Sequence, residues 1–222
     1  MVRVKICGVT TLEDARAATE AGADLLGLNF YKKSPRYITP EAARELCDGL
    51  RATLTTPMPR LVGVFVNAVV SDIIATLSEV GLDAAQLSGD ESDSIMKELK
   101  GRAYKAIQPM NAAMAKDDIT YYAPYFPQDE HLPSLLLDAY HPTLRGGTGS
   151  SAAADVVQAV KAGVPRLMLA GGLDPENVGA QVAQFQPWGV DVASGVEDDT
   201  PGVKNADKVR AFIQAARTAS KA

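Results

Sequence analysis

Short apolar, β-rich runs alternate with helical patterns along the whole chain. The runs lie at 2–7 (VRVKIC), 24–30 (DLLGLNF), 60–66 (RLVGVFV), 83–88 (DAAQLS), 103–108 (AYKAIQ), 134–140 (SLLLDAY), 166–171 (RLMLAG) and 190–194 (VDVAS). Most are continuously apolar rather than strictly alternating, as expected of parallel strands covered on their outer face by helices. Helix signals lie between them. Thr11 with Asp14 predicts a capping box ahead of LEDARAATEAGA. Thr39-Pro40 and Asp174-Pro175 each set a capping residue before a proline suited to a first helical turn. Ser71 is placed to cap DIIATLSEV, and Gly22, Gly81 and Gly163 follow helical segments where a left-handed cap favours glycine. The phrases AGAD, VGLD and AGVP recur before the second, fourth and seventh runs, a weak echo of one βα unit. The stretch 109–130, with three prolines and several tyrosines, predicts one short helix and an irregular piece.

Eight βα units admit a closed (β/α)₈ barrel or an open doubly wound sheet. No G-x-G-x-x-G follows the first run, which counts against a dinucleotide-binding sheet. The expectation is an α/β fold, a TIM barrel forming one domain over 1–222. That is compact for an architecture that usually needs about 250 residues. Composition adds little: 46% apolar and 22% charged residues are ordinary for a globular chain. A net charge of −5 favours neither nucleic acid nor an anionic membrane as a partner. Two distant cysteines are no disulfide framework and fit a reducing compartment. With no secretory h-region at the start and no membrane-length apolar run, the expected location is cytoplasmic.

In a barrel the chemistry sits where strands end and βα loops begin. That rule selects Cys7, Arg36, Asn67, Gln86, Asp138, the AGGL of 170–173 and the SGVE of 194–197. Gly171 and Gly172, with Ser194 and Gly195, stand after the seventh and eighth strands, where barrels often bind phosphate through backbone N–H groups. Tight turns alone would also explain these glycines. Asp138 closes a run of three leucines, a setting that suits a general acid, although an aspartate ordering the next loop has the same pattern. Arg36 offers a fork-shaped donor for a carboxylate or phosphate, or is a surface arginine. Cys7 is either a small buried hydrophobe or, beside an anion-binding pocket, a thiol whose ionisation is favoured. Cys47 lies within a helix, EAARELCDGL, and reads as packing, as do the methionines of NAAMA and elsewhere. His131 and His141 lie in loops without metal-site spacing.

The motifs KICG (5–8), YKKSPRYI (31–38), GVFVN (63–67), LLLDAY (135–140), GGTG (146–149), AGGL (170–173), DVASGVE (191–197) and PGVK (201–204) span nearly the whole chain. Together, in that order, they resemble the phosphoribosylanthranilate isomerase family, which carries out an Amadori rearrangement in tryptophan biosynthesis. The resemblance implies a (β/α)₈ barrel without cofactor or metal, acting on a phosphorylated aminoaldose. It implies Cys7 as general base and Asp138 as general acid. It further implies Arg36 on the anthranilate carboxylate, Gln86 and Asp191 toward the substrate, and Gly147 in a GGTG loop that folds over it. Gly171, Gly172, Ser194 and Gly195 would line the phosphate site. A monomer and a homodimer are both compatible.

Two positions depart from the family pattern: QLSG, with Ser88 where a histidine is usual, and PGVKN, with Asn205 where an aspartate is usual. Three rivals share parts of the picture. The histidine-pathway isomerase would place a carboxylate where Cys7 stands. A thiamin phosphate synthase-like barrel explains the glycines but not KICG with LLLDAY. A barrel that binds a phosphorylated metabolite without turning it over is favoured only by Ser88.

Overall fold

The computed structural model describes residues 1–138 and 149–221. The eight expected strands are β1 (Arg3–Cys7), β2 (Leu25–Asn29), β3 (Arg60–Phe65), β4 (Ala84–Leu87), β5 (Ala103–Ile107), β6 (Leu135–Asp138), β7 (Leu167–Ala170) and β8 (Gly189–Val192). Each pairs in parallel with the next, and β8 returns to β1 through the register Lys5↔Asp191, so the sheet closes into a barrel. The helices are α1 (Leu12–Glu20), α2 (Pro40–Thr53), α3 (Val70–Val80), α4 (Asp93–Glu98), α5 (Ala112–Tyr122), α6 (Gly149–Gly163), α7 (Val178–Phe185) and α8 (Ala206–Ala219). Short 3₁₀ helices follow at Ala123–Tyr125 and Ser194–Val196. The doubly wound alternative is thereby excluded.

Two apolar layers explain why the strands read as continuous runs. Val4, Ile6, Leu26, Leu28, Leu135, Leu137, Val190 and Val192 point outward into the large core shared with the helices. Leu25, Val62, Tyr104, Leu136 and Met168 fill the barrel interior. Strand alternation therefore aims Arg3, Lys5 and Cys7 of β1 into the lumen, because their neighbours Val4 and Ile6 face out.

Several local expectations hold in detail. Thr11 accepts a hydrogen bond from the Asp14 amide at 3.1 Å, and Thr39 caps α2 with Pro40 in its first turn. Gly22 (φ +100°) and Gly81 (φ +71°) take the left-handed conformation. Others differ. The Asp14 carboxylate accepts from the Lys204 amide at 3.3 Å, tying α1 to the chain after β8. Helix α3 begins earlier than Ser71 predicts, with Val69 as its uncapped first boundary, so Ser71 sits inside the first turn and meets Asp72. Asp174 accepts from the Glu176 and Asn177 amides and shapes a turn; α7 starts only at Val178. Gly163 is helical, and its lack of a side chain serves packing: a Cβ there would stand 2.9 Å from Ile119 of α5. The methionines are not all core, since Met58, Met110 and Met114 are exposed.

Candidate active site

The strand ends converge on a cavity of about 740 Å³ at the C-terminal mouth of the barrel. Gln86, Asp138 and Asp191 line it, together with Ser88, Lys105 and Gln108. Asp138 ends β6, and its Oδ2 accepts a hydrogen bond of 2.7 Å from Gln108 Nε2, one residue past β5. Gln86, facing the lumen from β4, accepts from the buried Tyr104 hydroxyl at 3.0 Å and donates to Ser88 Oγ at 3.1 Å. Ser88, in the place of the family histidine, is therefore part of a hydrogen-bonded chain that starts inside the barrel. At the same rim, Lys105 pairs with Glu91 at 3.0 Å. Glu91 in turn accepts from the Asn67 and Gly89 amides at 2.8 and 2.9 Å, joining the loops after β3 and β4.

Gly171 and Gly172 lie beside this cavity in a smaller one of about 360 Å³, with Ala170 lining both. Both glycines are left-handed, at φ +98° and +66°, backbone that a side chain rarely allows. Gly195 opens toward the same loop: a Cβ on it would lie 2.0 Å from the Leu173 carbonyl oxygen. The loops after β7 and β8 thus touch backbone to backbone, and Ser194–Val196 forms a 3₁₀ turn there. The loops that carry Gly171, Gly172, Ser194 and Gly195 therefore meet at one place. Gly147 and His141 lie outside the described residues, and His131 is exposed at the opposite end of the barrel, beside Arg60 and Asp83.

Cys7 lies in the lumen, 8% exposed. The Lys5 ammonium, fully buried, donates to Asp191 Oδ1 at 2.9 Å. Both act on the thiol. Burial pushes the Cys7 thiol above its ordinary range, Lys5 pulls it back by charge and hydrogen bonding, and Asp191 pushes it up again. Of the two readings left open for Cys7, the surroundings favour the neutral thiol, because a nearly dry sulfur loses more from desolvation than Lys5 and Lys204 return. Lys5 itself keeps its proton against burial through Asp191. Gly27 on β2 makes room for both side chains, since a Cβ there would stand 2.7 Å from Cys7 Sγ and 3.1 Å from Lys5 Nζ. Cys47, by contrast, is packed within α2 against the outer core, and burial pushes its thiol up to about 11.

Arg36 lies across Gly8, which is left-handed (φ +73°) and whose Cβ would clash with Arg36 Cδ at 2.4 Å. Its Nε and Nη2 bind both oxygens of Glu197 at 2.6 and 2.7 Å, in fork-to-fork geometry. Glu197 also receives Lys204 Nζ at 2.9 Å and the Gly202 amide at 3.0 Å. Although burial opposes its charge, these donors hold the Glu197 carboxyl below the usual range.

The profile of the family described as N-(5'-phosphoribosyl)anthranilate (PRA) isomerase matches residues 4–215. The chain belongs to the phosphoribosylanthranilate isomerase family. A family member of Citrifermentans bemidjiense named N-(5'-phosphoribosyl)anthranilate isomerase is 44% identical over 98% of this chain and 98% of its own. The crystal structure of phosphoribosyl anthranilate isomerase from Thermotoga maritima is 37% identical, with a TM-score of 0.83 over 98% of this chain and 100% of its own. Another family structure, in complex with reduced 1-(o-carboxyphenylamino)-1-deoxyribulose 5-phosphate, is 35% identical, with a TM-score of 0.80 and coverage of 98% and 100%.

Lys5, Gln108 and Lys204 are polar groups of this site that the strand-end rule did not single out, and Glu197 was included only as the last residue of SGVE. Gln108 was within reach of the strand-end rule. Lys5 was within reach of alternation in β1, which puts it on the same face as Cys7. Glu197 and Lys204 stood in the motifs SGVE and PGVK, but their meeting with Arg36 needs the barrel closed.

Proposed function

We propose that this member of the isomerase family converts N-(5-phosphoribosyl)anthranilate to 1-(2-carboxyphenylamino)-1-deoxyribulose 5-phosphate, with Asp138 as the acid and Cys7 as the base. Asp138 protonates the furanose ring oxygen, the C1–O bond breaks, and a Schiff base forms between C1 and the anthranilate nitrogen. The Cys7 thiolate then takes the proton from C2, giving an enolamine that tautomerises to the ketone. The two groups approach one sugar from β6 and β1, so neither has to perform both steps. Gly171, Gly172, Ser194 and Gly195 take the phosphate through backbone N–H groups. Arg36 takes the anthranilate carboxylate with the guanidinium edge left over from Glu197. Gln86 and Asp191 face the sugar hydroxyls.

The observation that carries this reading is Asp138 at the cavity wall together with Asp191, whose partner Lys5 shares the space above Gly27 with the Cys7 thiol. The test is Asp138→Asn. It is expected to lower kcat by about 10²–10⁴-fold, the usual contribution of a positioned proton donor, followed as loss of substrate fluorescence. Binding of a reduced product analogue is expected to persist. Near-full turnover by the variant would remove Asp138 as the acid.

A further inference from the structure

We propose that Lys5 is a positioning residue that supplies the fixed positive charge against which the Cys7 thiolate forms. The proposal rests on the reading of Cys7 as the base.

Lys5 is a fully buried ammonium in the middle of an apolar strand. Packing does not require it there: Leu25 and Val62 fill comparable lumen positions with hydrocarbon. Its Nζ and the Cys7 Sγ crowd the same space above Gly27, which any side chain at that position would fill. Charged and titratable groups face the thiol from several elements: Lys5 on its own strand, Asp191 on β8, Tyr104 on β5, Arg36 after β2 and Lys204 after β8. Arg36 and Lys204 are already committed to Glu197. Lys5 is the cation whose Nζ shares the space above Gly27 with the sulfur, and Asp191 anchors it.

The buried charges near Cys7 pair off, Lys5 with Asp191 and Lys204 with Glu197, while the partly exposed Arg36 shares Glu197. Lys5 so placed lets the sulfur hold a negative charge without entry of water. The Asp191 carboxylate keeps the ammonium oriented and at the same time prevents the thiolate from forming outright.

The experiment uses the full chain with Cys47→Ala, so that Cys7 is the only thiol. The rate of alkylation by iodoacetamide is followed by intact mass across pH. Lys5→Met is expected to move the midpoint of that profile upward by about one unit or more, the effect of removing an opposite charge at close range. An unmoved midpoint overturns the proposal, and a loss of side-chain packing alone would not move it. Should Lys5→Met not fold, Asp191→Asn carries the test: with the carboxylate gone the ammonium serves the sulfur alone, and the midpoint is expected to fall. A rise or no change there overturns the proposal. The pH profile of kcat/KM separates the two claims. If the alkylation midpoint rises in Lys5→Met while the acid limb of the rate profile stays in place, Lys5 is the counter-charge and Cys7 is not the base.

Discussion

The two ends of the barrel treat charge in opposite ways. At the N-terminal end, Arg3 pairs with Asp24 and Arg60 with Asp83 and Asp129, all of them 16–40% exposed. At the C-terminal end, Lys5–Asp191, Lys105–Glu91 and Lys204–Glu197 are 0–10% exposed. The N-terminal carboxylates have a structural task. Asp24 accepts the Val4 amide at 2.9 Å and Asp83 the Leu61 amide at 2.7 Å, each closing the start of a neighbouring strand. The repeated AGAD and VGLD phrases are this device used twice. Water shares the charge there, so each pair is worth little and its loss is cheap. The C-terminal pairs are dry, costly to assemble and costly to break from one side.

Breaking the contrast at its strongest point means removing the sulfur. Cys7→Ser is expected to lower kcat by about 10²–10⁴-fold, because a hydroxyl is a far poorer base at neutral pH. Cys47→Ser, in the outer core, is expected to leave kcat alone and to show its effect only in stability. Steady-state kinetics on the pair checks this, and equal kcat values for the two variants would undo the distinction between lumen and outer layer.

The next largest effect is expected at Glu197. Glu197→Gln leaves the buried Lys204 and the half-buried Arg36 without their carboxylate and is expected to cost about 3 kcal/mol by urea denaturation, with a raised KM as Arg36 loses its clamp. Its pH signature has a definite sign. The folded Glu197 carboxyl lies below its unfolded value, so its contribution is complete above about pH 4.3 and is lost as pH falls through the folded value. The variant is expected to unfold with a shallower dependence on acid than the parent, and an identical slope would count against the ion-pair account.

Smallest is the N-terminal end. Asp83→Asn keeps the shape and weakens the bonds to the Leu61 amide and to Arg60, an expected loss of about 1 kcal/mol in stability with kcat unchanged. A change in kcat comparable to that of Glu197→Gln would show that the two ends are not independent.

The fold was legible because its signals are local. Each strand is a short run between helix caps and turns, and eight of them in βα order leave few topologies. The strand ends then marked Cys7 and Asp138 before any contact was known. The misplacements were local too. Ser71 and Asp174 have the chemistry of helix caps, but α3 and α7 begin where packing on the sheet begins, and that is decided by the barrel. Gly163 looked like a cap and instead makes room for Ile119, a partner 44 positions earlier in the chain.

The sequence by itself determined the eight βα units and the family, and it put an aspartate and a cysteine at the ends of β6 and β1. Tertiary structure alone decided the electrostatic surroundings of that thiol. Lys5 meets Asp191 across 186 residues and Arg36 meets Glu197 across 161, because closing β8 onto β1 brings the two ends of the chain to one rim. Desolvation and Coulomb energy depend on those distances and on the exclusion of water, and no stretch of residues encodes either until the barrel is shut.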